Sequence, residues 1–167
     1  TGTDGGTLDV DAMGYMLGVD VNDDANPDLF FEIPALEAGA HANLFATQDA
    51  EGKVIVLAQL DADTTLPIMP QMSHVRVIHL SGDTDPVEVF VNGGEPAAID
   101  SLAFADSTDV IDLPSGPYAF DIGLVGGGLD ATVLDLDAQL APKKHYTALA
   151  FNDADGLAAQ AIENDMM

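Results

Sequence analysis

Apolar residues along this chain recur at every second position, the period of a half-buried strand, and not at helical spacing. The clearest stretch is 74–94. Val75, Val77 and His79 share one face of its first run, and Val87, Val89 and Val91 alternate with Glu88 and Phe90 in its second. Ser81-Gly82-Asp83-Thr84-Asp85-Pro86 supplies turn chemistry between the runs, and Asn92-Gly93-Gly94 closes the second. Extended runs are also predicted at 8–10, 15–19, 29–33, 41–47, 54–60, 108–113, 118–124, 131–136, 145–151 and 157–162. Only 157–163 has helix-friendly composition, and its place after a turn matching the one before Val54 argues for strand. The pattern predicts an all-β protein, an immunoglobulin-like antiparallel β-sandwich.

The chain also repeats itself. Residues 36–61 match 140–165 without a gap at an offset of 104, pairing His41 with His145 and Asp49-Ala50-Glu51-Gly52 with Asp153-Ala154-Asp155-Gly156. At an offset of 103, Leu8-Asp9-Val10 matches Ile111-Asp112-Leu113, and Tyr15 matches Tyr118. The copies are unequal: the first lacks everything equivalent to 74–107. The reading is a partial β-sandwich module at 1–66, a Pro-containing linker at 67–73 and a complete sandwich at 74–167. A sandwich short of its first strands leaves ladder groups open. The long copy's edge, an upstream segment of a precursor, or a neighbouring subunit by strand complementation could each satisfy them.

Charge narrows the partners. Twenty-nine acidic residues face four basic ones, for a net charge of −25 and a pI near 4.1, so no basic patch for nucleic acid can be built and anionic membrane surfaces are disfavoured. Hydrophobic content of 47% still suffices for a core. Aspartate outnumbers glutamate 23 to six, as suits either high salt or calcium-rich surroundings. There is no cysteine, and no run approaches the roughly 18 apolar residues of a membrane span. The start at Thr1, with Gly-rich residues following, reads as a processed product.

The second copy resembles the domain-of-unknown-function family 4397. The likeness rests on V-R-V-I-H-L-S at 75–81, D-P-V-E-V-F-V-N-G at 85–93, S-L-A-F-A-D at 101–106, L-P-S-G-P-Y at 113–118 and H-Y-T-A-L-A-F at 145–151. The resemblance implies secreted or surface-attached β-sandwich proteins, often in tandem, and no activity.

The best site candidate is Asp20, Asn22, Asp24, Asn26 and Asp28, whose alternate oxygens could converge on calcium. It departs from the helix-loop-helix pattern, with Ala25 at the sixth position and Phe31 at the twelfth. The pairs Asp61/Asp63, Asp83/Asp85 and Asp135/Asp137 read as acidic strand faces. The histidines cannot be grouped by sequence into a zinc site. Arg76, the sole arginine, is expected to snorkel or to pair with Glu88 across the hairpin. No catalytic or cofactor-binding residue emerges. The expected function is a non-enzymatic extracellular or cell-surface protein that assembles into a homopolymer by strand complementation; the alternative is a calcium-dependent adhesion module with a glycan or protein ligand.

Overall fold

The computed structural model describes residues 6–60, 63–152 and 156–164. These form thirteen strands and one 3-10 turn: β1 (Tyr15–Val19), β2 (Leu29–Ile33), β3 (Asn43–Gln48), β4 (Val54–Gln59), β5 (Thr65–Ile68), β6 (Met72–His79), β7 (Val87–Val91), β8 (Ile99–Leu102), β9 (Ile111–Pro114), β10 (Gly116–Leu124), the turn Leu129–Ala131, β11 (Thr132–Leu140), β12 (His145–Asn152) and β13 (Leu157–Asn164). The chain divides into two compact units, one of Thr1–Val19 and Phe31–Pro70, the other of Asp20–Phe30 and Gln71–Met167.

The second unit is a sandwich of two four-stranded sheets, ordered β11-β10-β7-β8 and β13-β12-β6-β9. Its core draws on both. Val77 of β6 and Ala148 and Ala150 of β12 meet Val87 and Val89 of β7, Leu102 of β8, and Phe120 and Ile122 of β10. Burying a large apolar side chain contributes about 1.5–3 kcal/mol, so this cluster holds the sheets face to face. One ladder departs from the antiparallel expectation: β6 runs parallel to β12, with His74 opposite His145. Parallel neighbours need a long crossover, and here the chain between them builds the other sheet and the edge strand β9.

Two expectations change. Residues 74–94 are not a hairpin: β6 and β7 lie in different sheets, joined by a connection that crosses the sandwich. Arg76 therefore does not meet Glu88. Glu88, 8% exposed, accepts hydrogen bonds from the Gly126 (3.3 Å) and Gly128 (2.8 Å) amides instead, while Arg76 is exposed on the outer face of β6. Within 67–73, Pro67 lies in β5, paired with Leu57, and Met72 opens β6, with the boundary between the units at Pro70 and Gln71; a proline is tolerated in β5 because it is an edge strand.

The first unit holds the three-stranded sheet β3-β4-β5 and contributes to the pair β1-β2. Phe31 and Val56 are fully buried, with Ile33 and Ala58 nearly so. Its strands fall on those of the second unit at the offsets read from sequence: β1 and β2 on β10 and β11, β3 and β4 on β12 and β13. The equivalent tyrosines behave alike, each hydroxyl donating to the carbonyl four residues back, Tyr15 to Asp11 (2.7 Å) and Tyr118 to Pro114 (2.8 Å). Burial raises the Tyr118 phenol above its ordinary pKa. The hairpins differ by one residue in register, since Gln48 pairs with Val54 but Asn152 with Leu157.

Residues 8–10, expected as a strand, form none and are exposed. Their counterpart, β9, owes its ladder to β6, and no β6-like strand stands beside 8–10 among the described residues.

Candidate functional site

The strand β3 is the feature that sets the first unit apart. Its turn is built locally: the Asp49 carboxylate accepts from the Glu51 and Lys53 amides at 3.0 and 2.8 Å, Gly52 takes the left-handed φ of 82°, and the Asp49 amide donates to Lys53. That last bond sets the alternation of the antiparallel ladder. Residues 43, 45 and 47 bond to β4, and the amides and carbonyls of Leu44, Ala46 and Gln48 point outward. β3 is exposed at all six positions, Phe45 at 51%.

An exposed edge invites another strand, and proteins ordinarily blunt it with charge or proline. The other ends of the larger sheets conform. β11 carries Asp135 and Asp137, β8 Asp100, β13 Glu163, β9 Asp112 and Pro114, and β5 Pro67. β3, N-L-F-A-T-Q, has neither, and no charged residue occurs from 38 to 48. That uncharged run was the available sequence signal; it did not by itself identify an edge, because edge status depends on which strands pair.

The five residues expected to hold calcium are gathered into one exposed loop. The side-chain oxygens of Asp20, Asn22, Asp24 and Asp28 are engaged with the loop's own nitrogens. Asp20 accepts from the amides of Asn22, Asp23 and Ala25 at 3.2, 2.7 and 2.8 Å, and Asp28 from those of Val21 and Asn22 at 2.7 and 3.3 Å. Asn22 accepts from Asp24, and Asp24 from Asn26. The Asn22 side-chain nitrogen lies between one oxygen of Asp24 (3.4 Å) and one of Asp28 (3.1 Å). Asp23 and Ala25 take positive φ to close these turns. Desolvation is the largest influence on Asp20 and raises its pKa, but the amides of Ala25, Asp23, Asn22 and Asp24 together outweigh it and hold the carboxyl below its ordinary value. Among the described residues no three His, Asp or Glu side chains are grouped as a metal centre requires.

The histidines sort by strand. His74 and His145 stack across the β6–β12 ladder at 4.5 Å between ring centroids, and His74 Nδ1 lies 2.6 Å from Asp112. His79 is fully buried; its Nδ1 accepts from the Ser81 amide at 3.4 Å, and its Nε2 has no hydrogen-bond partner among the described residues. His41, the repeat equivalent of His145, is exposed. Of the aspartate pairs, Asp135 and Asp137 share the exposed face of β11, with Asp135 opposite Asp121. Asp83 meets Asn152, which also accepts from Ser81 at 2.8 Å, tying the 80–86 connection to the end of β12. Asp61 lies outside the described residues.

Comparison with known proteins gives three findings. A family model, described as Domain of unknown function (DUF4397), matches residues 73–167. No curated protein matches the chain significantly. A solved structure, that of a proposed cell adhesion protein from Bacteroides uniformis, aligns with 95% of this chain and 93% of its own at 10% identity and a TM-score of 0.34, too weak a likeness to bear an argument.

Proposed function

From a chain that belongs to the DUF4397 family, we propose a non-enzymatic structural subunit, displayed outside the cell, that assembles with copies of itself by strand addition at β3. The observation that supports this is the open, uncharged, fully exposed edge of β3 in a protein whose other large sheets end in charged or proline-bearing strands. A strand added there gains backbone hydrogen bonds and covers Leu44 and Phe45. Pairing of β3 with a different segment of the next copy propagates into a filament or layer, whereas pairing of β3 with itself would close as a dimer. Electron microscopy with light scattering over a concentration series tests it. Filaments or sheets that grow with concentration are expected. A monomer of constant mass up to millimolar concentration would refute it.

A further inference from the structure

The two outer faces of the second unit carry opposite charge. On the sheet β13-β12-β6-β9 the side chains turned away from the core are His74, Arg76 and Ile78 of β6, with His145, Thr147 and Leu149 opposite them on β12. On β13 the face continues through Gln160, Ile162 and Asn164. In a chain with 29 acidic residues, the described strands place one acid on this face, Asp112, and His74 Nδ1 lies 2.6 Å from it. Arg76, the chain's one arginine, is exposed there and forms no ion pair among the described residues. Its guanidinium fork is built to hold carboxylates and holds none.

The outer face of the other sheet is acidic. Asp121 of β10 stands directly opposite Asp135 of β11, and Asp137 follows two residues on, exposed like Asp135. None of the three is ion-paired among the described residues. Like charges on opposed strand positions are destabilising, so a cation laid over them relieves a cost already present in the fold. Beside Asp137 lies an open depression of about 440 Å³, lined also by Asn92, Pro117, Ala119 and Gln139.

We infer that these two faces meet between copies: the β6–β12 face of one packs on the β10–β11 face of the next, with Arg76 set among Asp121, Asp135 and Asp137. The spacing fits. Ile78 lies two residues from Arg76 on β6, and Ala119 lies two residues from Asp121 on β10. Both separations are roughly 7 Å, so sheets packed with aligned strands bring Ile78 over the depression as Arg76 reaches the carboxylates. The occupant is a second copy because every copy carries both faces, on opposite sides of one sandwich, and such a contact repeats. This rests on the assembly reading above and adds to it a contact on the second unit. One guanidinium does not cancel the repulsion between copies of charge −25. It fixes which faces meet, and the covered apolar side chains supply the attraction.

The test uses the full chain carrying Ala46→Pro, which removes the β3 contribution, in sedimentation velocity over a concentration series; circular dichroism melts check folding. Association is expected to persist at raised concentration. Arg76→Glu is expected to weaken it about a hundredfold, and so is Asp135→Arg combined with Asp137→Arg, because each sets like charges against each other. In an equimolar mixture of the two variants every contact again joins opposite charges, and association is expected to return to within about threefold of the Ala46→Pro chain. A monomeric Ala46→Pro chain, or unchanged association in Arg76→Glu, would overturn the face contact and leave the β3 reading standing. Weakening in both variants without recovery on mixing would overturn the acidic face of a second copy as the occupant. Association of the Ala46→Pro chain at the parent's concentrations, lost in Arg76→Glu and recovered on mixing, would uphold the face contact and refute β3, so the two readings fail separately.

Discussion

Replacing Ala46 by proline isolates the β3 edge from the fold that carries it. The Asp49 amide donates to Lys53, so bonding to β4 falls on residues 47, 45 and 43, and Ala46 directs its N–H away from β4. Proline at 46 thus removes an outward donor and places its ring in the path of an incoming strand, yet leaves the β3–β4 ladder complete. The restriction that proline imposes on the preceding residue favours extended backbone, which Phe45 already has. An added strand would bond to the outward groups of Leu44, Ala46 and Gln48. With a net gain of about 1 kcal/mol per bond, loss of the Ala46 donor and of a neighbouring bond costs roughly 2 kcal/mol, or about thirtyfold in the dissociation constant. Phe45→Pro is the paired control, because it removes a donor to β4 at the position opposite Leu57.

Sedimentation velocity over a concentration series reads assembly, and thermal unfolding by circular dichroism reads the fold. The expected outcome is that Ala46→Pro melts within about 3 °C of the parent, a shift worth well under 1 kcal/mol, while its assembly moves to about thirtyfold higher concentration. Phe45→Pro should lower the melting temperature of the first unit. Unchanged assembly in Ala46→Pro would refute the assignment of β3 as the contact. A loss of stability equal to that of Phe45→Pro would refute the alternation from which the design follows.

Four further outcomes follow from the same geometry. Gly116→Ala should destabilise the second unit by about 3 kcal/mol in denaturant unfolding, because a Cβ there would lie 2.0 Å from the Asp28 carbonyl oxygen; an unmoved midpoint would mean the 20–28 loop yields freely. Asp20 has a lowered folded-state pKa, so the stability it contributes is complete above the ordinary carboxylate range and is lost as pH falls below about 4; NMR titration of the Ala25 amide should show its transition below that of exposed aspartates. Since the loop's amides are held by its own side chains, melting temperatures in calcium and in chelator should agree within about 2 °C; a rise specific to calcium over magnesium would give the five loop residues a metal-binding role. Light scattering should show stronger assembly at about 1 M salt than at 0.1 M, because copies of charge −25 repel and the screening length falls from about 10 to 3 Å; dispersal by salt would show that ion pairs hold the contact.

Strand positions were legible because each strand buries one face, and period two records facing directly. Val75, Val77 and His79 were placed on one face from spacing alone, and all three are buried. Facing does not encode pairing. The same alternation fits a hairpin and a crossing between sheets, so Arg76 and Glu88 were set opposite each other when β6 and β7 belong to different layers. Proline misled in a related way: Pro67 excludes a central strand but not an edge, and edge status is a property of the assembled sheet. The 20–28 loop was recognised as one cluster of oxygens. Whether those oxygens face a cation or the chain's own amides depends on backbone turns at Asp23 and Ala25; aspartate is enriched at positive φ, but alanine carries no such signal.

The repeat was the one long-range signal that sequence carried, and it changes the meaning of residues that look ordinary alone. Leu8, Val10 and His41 would pass as unremarkable exposed side chains. Their equivalents in the complete module are a strand held by β6 and a ring stacked on His74. An amphipathic segment retains its alternation whether or not its neighbour is present, since the pattern is written in its own residues; the ladder it forms is not. Residues 8–10 keep the apolar-acidic-apolar pattern of 111–113 while belonging to no sheet, and β3 keeps the composition of a paired strand while all six of its residues are exposed. In an acidic chain, where charge guards the other large-sheet edges except the one closed by Pro67, an uncharged strand left open is costly unless another strand covers it. That cost, located on β3, is the physical ground on which self-assembly is proposed.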